Sequence, residues 1–158
     1  ALLRAGSLIY PWHQFALSII SGSLGDRPIY FASSGNTAGE LGLTPFLIRQ
    51  GVAYRLNPGF PDPETLEGVE EMSLSPMTSV TGTWLDVDRT RKLAWEVFLH
   101  RGGLPDAWHH WPYRAVLGVP SYYAWVHYSL YQAAVQGGRE EEALENMDRA
   151  EAWARLGS

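Results

Sequence analysis

Cysteine is absent from this 158-residue sequence. Its absence excludes disulfide bonds, thiolate metal sites and cysteine nucleophiles together, and it leaves the redox compartment open. Long apolar runs are absent as well. The longest apolar-rich segment, Phe15 to Ile20, is far shorter than the roughly 18 to 20 residues that cross a bilayer. The sequence therefore predicts no transmembrane segment of its own.

Clustered positive charge is also missing. Lys and Arg number 12 against 17 Asp and Glu, which gives a formal net charge of −5 at pH 7. Arg89, Arg91 and Lys92 make one basic turn, which is much less than the basic surface that binding to phosphates requires. We therefore expect no nucleic-acid partner. No signal peptide is visible, and a start at Ala1 without methionine is typical of a processed or trimmed piece of a longer protein.

Aromatic residues are abundant, at 13% of the chain, with seven Trp and eight Tyr. Trp and Tyr combine a large apolar area with one polar tip, so they are enriched at interfaces and near membrane surfaces. Burial frequencies nevertheless favour core packing for most of the Trp side chains.

The N-terminal part predicts a helix and then a βαβ unit. Pro11 begins the helix, whose single predicted apolar face consists of Trp12, Phe15, Ala16, Ile19 and Ile20. The apolar run 29–32 predicts a buried strand, Thr44-Pro45 begins a short helix that ends at Gly51, and 52–56 alternates like a half-buried strand. Strand, crossover and strand together predict parallel, right-handed pairing.

The C-terminal part predicts helices. Residues 72–75 favour an edge strand, and Asp88 is a good N-cap for the helix that follows. After an irregular connector, two helices are joined by Gly137-Gly138. The small residues Ala134, Gly138, Ala143 and Ala150 lie where a tetratricopeptide-like repeat has its small residues.

The predicted fold class is α/β. We expect a small, mostly parallel sheet built on the βαβ unit, followed by a C-terminal tetratricopeptide-like helical hairpin. The division would be an α/β core at 1–104 and a connector with the hairpin at 105–158, packed as one compact unit.

Three blocks resemble a known family: Arg27-Pro28-Ile29-Tyr30-Phe31-Ala32, Leu41-Gly42-Leu43 and Gly51-Val52-Ala53-Tyr54-Arg55-Leu56. The family consists of large multi-spanning bacterial membrane proteins of unknown function, from Bacteroidetes and Gemmatimonadetes, that are likened to protein O-mannosyltransferases. The blocks are similar to its C-terminal extracytoplasmic region. The Asp-rich segment 85–88 and the tetratricopeptide-like segment 138–150 follow in the same order, so the resemblance covers roughly residues 9–152.

The resemblance implies a periplasmic or otherwise extracytoplasmic, membrane-peripheral module that works beside a membrane protein. The membrane-embedded part, where sugar transfer would occur, is not in this sequence, so glycosyl transfer does not carry over to it. A membrane protein or multi-subunit membrane complex is the implied partner. An energy-transducing complex, for example a photosynthetic one, fits the bacterial range of the family.

The loop after the first predicted strand is the candidate ligand site. Its glycines do not match GxGxxG, and it lacks the Lys-Ser/Thr pair of a P-loop. A connecting loop is the default interpretation. The alternative is a small-ligand or carbohydrate-binding domain that uses loop 33–42. Its candidate ligand-binding residues are Ser34, Asn36, Thr37 and Thr44.

The connector carries the adjacent pair His109-His110. Adjacent histidines cannot both reach one metal from a regular element, and no Asp or Glu follows at i+3 or i+4. Flanking Trp residues favour a partner contact instead, because aromatic anchors dominate interface energies. The candidate interface residues are Trp108, His109, His110, Trp111, Tyr113, Tyr122, Tyr123 and Trp125.

No constellation of side chains specifies a reaction. Asp86 and Asp88 are more simply a cap and a favourable charge at a helix start than an acid/base pair, and no Ser has a visible His and Asp around it. The sequence thus predicts no catalytic residue, metal or cofactor. The leading hypothesis is a non-enzymatic accessory or scaffolding module that docks onto a membrane protein or complex.

Overall fold

The structure is a computed structural model that describes residues 9–32, 36–72, 83–98, 100–112, 114–116 and 118–157. The helices are α1 Pro11–Ser23, α2 Thr37–Glu40, α3 Val87–Lys92, α4 Gly118–Gln136 and α5 Glu140–Leu156. The strands are β1 Tyr30–Ala32, β2 Leu47–Gln50, β3 Ala53–Leu56, β4 Val69–Met72 and β5 Thr83–Asp86. Single 3₁₀ turns occur at Thr44–Phe46, Arg101–Gly103 and Arg114–Val116, and a π turn at Leu93–Val97 continues α3.

The five strands form one mixed sheet in the order β1-β3-β2-β5-β4. Strand β2 pairs with β5 in parallel, while β1–β3, β2–β3 and β4–β5 are antiparallel. The α/β class is confirmed. The predicted mostly parallel sheet is wrong, because antiparallel pairs predominate among the described strands. The predicted edge strand 72–75 overlaps β4 only at Met72, and its remaining residues lie outside the described part.

The predicted crossover helix between residues 44 and 51 is also wrong. Thr44-Pro45-Phe46 makes one 3₁₀ turn, and the next four residues are extended strand β2. In a four-residue run whose side chains are all buried, apolar and polar positions do not alternate. The hydrophobic pattern therefore cannot distinguish a strand from a helix. Gly51 has a φ of 61° and, with Val52, forms a two-residue loop. A positive φ at the first loop position alone is typical of the type II′ hairpin turn, which makes β2 and β3 antiparallel.

Two apolar clusters lie on the same face of the sheet. The register pairs Phe31 with Tyr54, Tyr54 with Arg49, and Arg49 with Leu85, and paired residues share a face. Helix α1 covers one end of this face, where Ala16, Leu17 and Ile20 pack against Leu41, Leu43, Leu47 and Leu56. Helix α4 covers the other end, where Val126, Leu130 and Ala133 pack against Met72 and Leu85.

A chain of hydrogen bonds crosses the opposite face. The Tyr30 hydroxyl donates to Gln50 Oε1 at 3.0 Å, and Gln50 Nε2 donates to Asp86 Oδ2 at 2.8 Å. Asp86 Oδ1 in turn accepts from the backbone N–H of Arg89 at 2.9 Å. Asp86, rather than the predicted Asp88, is therefore the N-cap of α3, and its second oxygen joins the helix to the sheet.

The C-terminal helical hairpin is confirmed as a packed pair of helices. Gly137 and Gly138 join α4 to α5, and Gly138 adopts a φ of 67°, which favours glycine at a helix end. The small residues Ala134, Ala143 and Ala150 are buried, so the two helices approach closely. Among the described helices, none combines the length and the apolar content that crossing a bilayer takes.

Candidate functional site

Helix α1 is attached to the fold by one side. Pro11 occupies the first turn, where its missing N–H is not needed. The backbone N–H of Tyr10 donates to His13 Nδ1 at 3.0 Å, so the ring proton lies on Nε2, which is 3.4 Å from Glu40 Oε2. His13 is buried in the same orientation as Ala16 and Ile20, which contact the core. This side of the helix is structural.

The other side of α1 is apolar and exposed. Trp12 is 45% exposed, Phe15 69% and Ile19 52%. Positions 12, 15 and 19 have the i, i+3, i+7 spacing of one helix face, so the three side chains form a continuous row, which we call the α1 stripe. The helix contains no charged residue. The predicted apolar face is therefore divided between Ala16 and Ile20, which pack on the core, and the exposed α1 stripe, because the apolar band is wider than the sheet covers.

Contiguous exposure distinguishes the α1 stripe from ordinary surface residues. Single exposed apolar side chains are normal, whereas contiguous apolar patches on globular proteins mark surfaces that contact something else. Ile9, Tyr10 and Leu24 extend the apolar surface at the two ends of the helix, each at least 41% exposed. The sequence does contain a signal for this surface, because no charged residue occurs between positions 11 and 23. Assigning all the apolar residues of α1 to one face left no exposed row to be predicted.

The connector residues predicted as interface anchors are partly used within the fold. Trp108 is exposed, yet its Nε1 donates to the Gly102 carbonyl at 2.7 Å, which holds the indole against the glycine turn. His109 and His110 are both exposed. Trp111 is half-buried, and its indole N–H reaches no acceptor among the described residues. Tyr113 lies outside the described residues.

The predicted anchors on α4 face different surroundings. Tyr123 belongs to an internal aromatic cluster, stacked on Trp153 with ring centroids 4.7 Å apart and edge-on to His100 at 4.8 Å. Tyr122 and Trp125 are half-buried, and Trp125 meets Tyr128 edge-on at 5.7 Å. Tyr123 is therefore used for packing, and the half-buried pair remains candidate surface.

Two histidines lie inside the helical layer. Burial lowers the pKa of His127 to about 4, against a hydrogen bond to Asn146 that raises it, and the charges of Arg149 and His100 lower it further. Burial also lowers the pKa of His100, with a smaller contribution from Arg149. Both rings are thus neutral at pH 7 and pack as aromatic groups, with Trp95 edge-on to His127 at 5.1 Å. Within the described residues, no three His, Asp or Glu side chains gather as metal ligands would.

The loop predicted as a ligand site is only partly described, because Ser34 lies outside the described residues. Asn36 Oδ1 and Thr44 Oγ1 converge on Gly39: a Cβ at that glycine would lie 2.6 Å from the first atom and 3.8 Å from the second. Thr37 opens the four-residue helix α2 and is half-buried. The structure therefore brings Asn36 and Thr44 together, and ligand binding by loop 33–42 stays a prediction.

Arg49 on β2 is a buried cation that the sequence did not single out. Its side chain lies between the sheet and α4, where Nε donates to the Gly51 carbonyl at 3.1 Å and Nη1 to Ser129 Oγ at 3.3 Å. The Tyr54 and Trp125 ring centroids are 5.9 and 5.8 Å from its Cζ. Burial lowers the pKa of Arg49, and Tyr54 raises it to a smaller extent.

No known protein family matches the chain, and neither the curated proteins nor the solved structures contain a significantly similar one. The resemblance to the multi-spanning bacterial family stays a prediction.

Proposed function

We propose that this protein is a non-enzymatic accessory module that docks through the α1 stripe onto a membrane protein or membrane-embedded complex, on the extracytoplasmic side. The observation that carries the proposal is the continuous exposure of Trp12, Phe15 and Ile19 on a helix whose opposite side is packed. Burying three such side chains against a partner would supply several kcal/mol, at roughly 1.5 to 3 kcal/mol for each.

The chemistry of the stripe favours an uncharged protein surface as the partner. No charged residue occurs between Arg4 and Asp26, so the stripe offers nothing to a charged surface. Helices that bind lipid headgroups carry Lys or Arg on their polar face, which α1 lacks. Tyr10 and Trp12 have the amphipathic rings that are enriched at membrane–water boundaries. An apolar surface of a membrane-embedded protein near that boundary is uncharged, requires no Lys or Arg on α1, and suits the rings of Tyr10 and Trp12.

The C-terminal hairpin would serve as the scaffold that presents α1. Its small buried residues, Ala134, Ala143 and Ala150, support the tetratricopeptide-like assignment, and α4 packs on the same face of the sheet as α1. The half-buried Tyr122 on α4, together with the exposed His109 and His110, would extend the contact with the partner.

Photo-crosslinking in native membranes tests the proposal. A photoreactive phenylalanine analogue at Phe15 should capture an integral membrane polypeptide. The same analogue at Leu144 is the matched control, because that side chain is 68% exposed on α5 but has no exposed apolar row beside it. Equal crosslinking from both positions, or crosslinking only to lipid or to a second copy of the chain, would contradict the proposal.

A further inference from the structure

Arg49 has no counter-charge among the residues that the structure describes. Its side chain is 7% exposed. All 17 Asp and Glu residues lie in the described parts of the chain, and none of them forms an ion pair with Arg49 there. The guanidinium group remains protonated in proteins, so the charge is retained in the interior. Buried charges are normally paired, since an unpaired one is strongly destabilising.

The hydrogen bonds of Arg49 orient its guanidinium group but involve only some of its N–H groups. A guanidinium has five N–H groups. Two of them donate, to the Gly51 carbonyl and to Ser129 Oγ, which leaves three without an acceptor among the described residues. Ser129 Oγ itself donates to the Trp125 carbonyl at 2.8 Å, so its lone pair is directed at Arg49. The guanidinium fork of Arg49 is therefore fixed in orientation while some of its N–H groups are free to bind a ligand.

The walls around the fork are aromatic. Tyr54 comes from β3 and Trp125 from α4, and both rings are half-buried. A planar guanidinium between two rings matches a planar carboxylate bidentately, and the rings offer apolar area to the body of the molecule that carries it. A phosphate dianion fits less well, because one cation faces it and the chain carries a net charge of −5.

We infer that Arg49, with Ser129, Tyr54 and Trp125, forms a binding site for a small organic monocarboxylate with an apolar or aromatic body. The carboxylate supplies the missing counter-charge, and its body packs against the two rings at the junction of the sheet and the hairpin. The site is independent of the α1 stripe, so Phe15→Ser should leave it unchanged.

Titration of the 158-residue chain with sodium benzoate, acetate and inorganic phosphate, at constant ionic strength, tests the site. Benzoate should bind saturably and raise the unfolding temperature by about 5 to 10 °C at a concentration near 100 times its Kd. Acetate should bind more weakly, and phosphate weakest. Arg49→Lys should weaken benzoate binding at least about tenfold, because an ammonium group lacks the fork.

Arg55→Lys is the matched control, since Arg55 is an exposed arginine on the neighbouring strand β3, and it should bind benzoate like the wild type. If Arg49→Lys does not fold, ¹⁵N spectra of the wild type decide the question: benzoate should shift one arginine Nε–H resonance selectively. Lack of saturable benzoate binding, unchanged affinity in a folded Arg49→Lys protein, or phosphate binding as tight as benzoate would overturn the inference.

Discussion

His127 Nδ1 lies 3.2 Å from Asn146 Oδ1, and this hydrogen bond joins α4 to α5 inside the C-terminal hairpin. Asn146 Nδ2 donates to the Glu142 carbonyl at 2.9 Å, so its oxygen is the acceptor and the His127 proton lies on Nδ1. Both side chains are buried. The close packing of the two helices therefore includes one buried polar pair, and burial opposes the protonation of His127 even though the imidazolium would keep this hydrogen bond.

Stability should fall as the pH falls from about 6.5 to 4. The pKa of His127 is about 4 in the folded protein and near 6.5 when unfolded, so the unfolded chain binds more protons over this range. The stability that the neutral His127 contributes is fully present above pH 6.5 and is lost by pH 4, and the loss amounts to roughly 3 kcal/mol. Urea unfolding at pH 7 and pH 4 measures the change.

The difference in unfolding free energy between the wild type and His127→Gln isolates this contribution from the carboxylates that titrate in the same range. It should shrink by roughly 3 kcal/mol between pH 7 and pH 4. The exposed His109 is the control for the substitution itself, and His109→Gln should change the unfolding free energy at pH 7 by less than about 0.5 kcal/mol. A constant difference for His127→Gln would show that its pKa is not depressed.

Two glycine-to-alanine substitutions should change stability in opposite directions. Gly51 has a φ of 61°, and an added Cβ would lie 3.0 Å from Phe98 Cζ, so Gly51→Ala should cost about 1 to 3 kcal/mol. Gly22 lies in α1 with nothing within 4 Å of an added Cβ, so Gly22→Ala should stabilise the protein by up to about 1 kcal/mol. Thermal unfolding of both variants gives the two signs, and a stabilising Gly51→Ala would refute the hairpin geometry.

Glu142 holds α3 to the start of α5. Its Oε1 accepts from Arg91 Nη2 at 2.7 Å, and its Oε2 accepts from Arg139 Nε at 2.8 Å. Burial alone would raise the pKa of Glu142, but the hydrogen bonds and charges of the two arginines outweigh the effect of burial and lower the pKa. Glu142→Gln should therefore cost about 1 to 2 kcal/mol at low salt, and less in 1 M salt.

The neighbouring Glu141 is exposed and is the control for Glu142. Glu141→Gln removes the same charge from the same helix turn, so it should change the unfolding free energy by less than about 0.5 kcal/mol. Equal effects of the two substitutions would mean that the arginine contacts do not contribute to stability.

The two sides of the α1 region should respond differently to truncation. Phe15 is exposed, so Phe15→Ser should stay within about 0.5 kcal/mol of the wild type. Leu41 is fully buried in the cluster beneath α1, so Leu41→Ala should cost about 2 to 5 kcal/mol. Urea unfolding distinguishes them, and a large loss at Phe15 would mean that the α1 stripe is packed within the fold.

Local signals predicted the three long helices. Pro11 begins α1, and Gly137-Gly138 separate α4 from α5, as the sequence indicated. The strands around Tyr30 and Tyr54 were also predicted, but β1 is not the buried strand that was expected, since Tyr30 is 50% exposed, and the two strands pair antiparallel instead of parallel. The four buried residues of β2 gave no periodic signal, so a strand was predicted as a helix and an antiparallel hairpin as a parallel crossover.

The candidate sites, too, were predicted in part from the sequence and in part only from the tertiary structure. The aromatic excess indicated an interaction surface, because composition alone limits what a surface can contact. Which apolar residues of α1 remain outside, and that Arg49 meets Ser129 80 positions later, depend on how the sheet and α4 pack. Caps and periodicity act within a few residues, so the sequence by itself determined the three long helices α1, α4 and α5. Strand direction, exposure and the uncompensated charge arise from contacts between distant segments, and only the tertiary structure decided them.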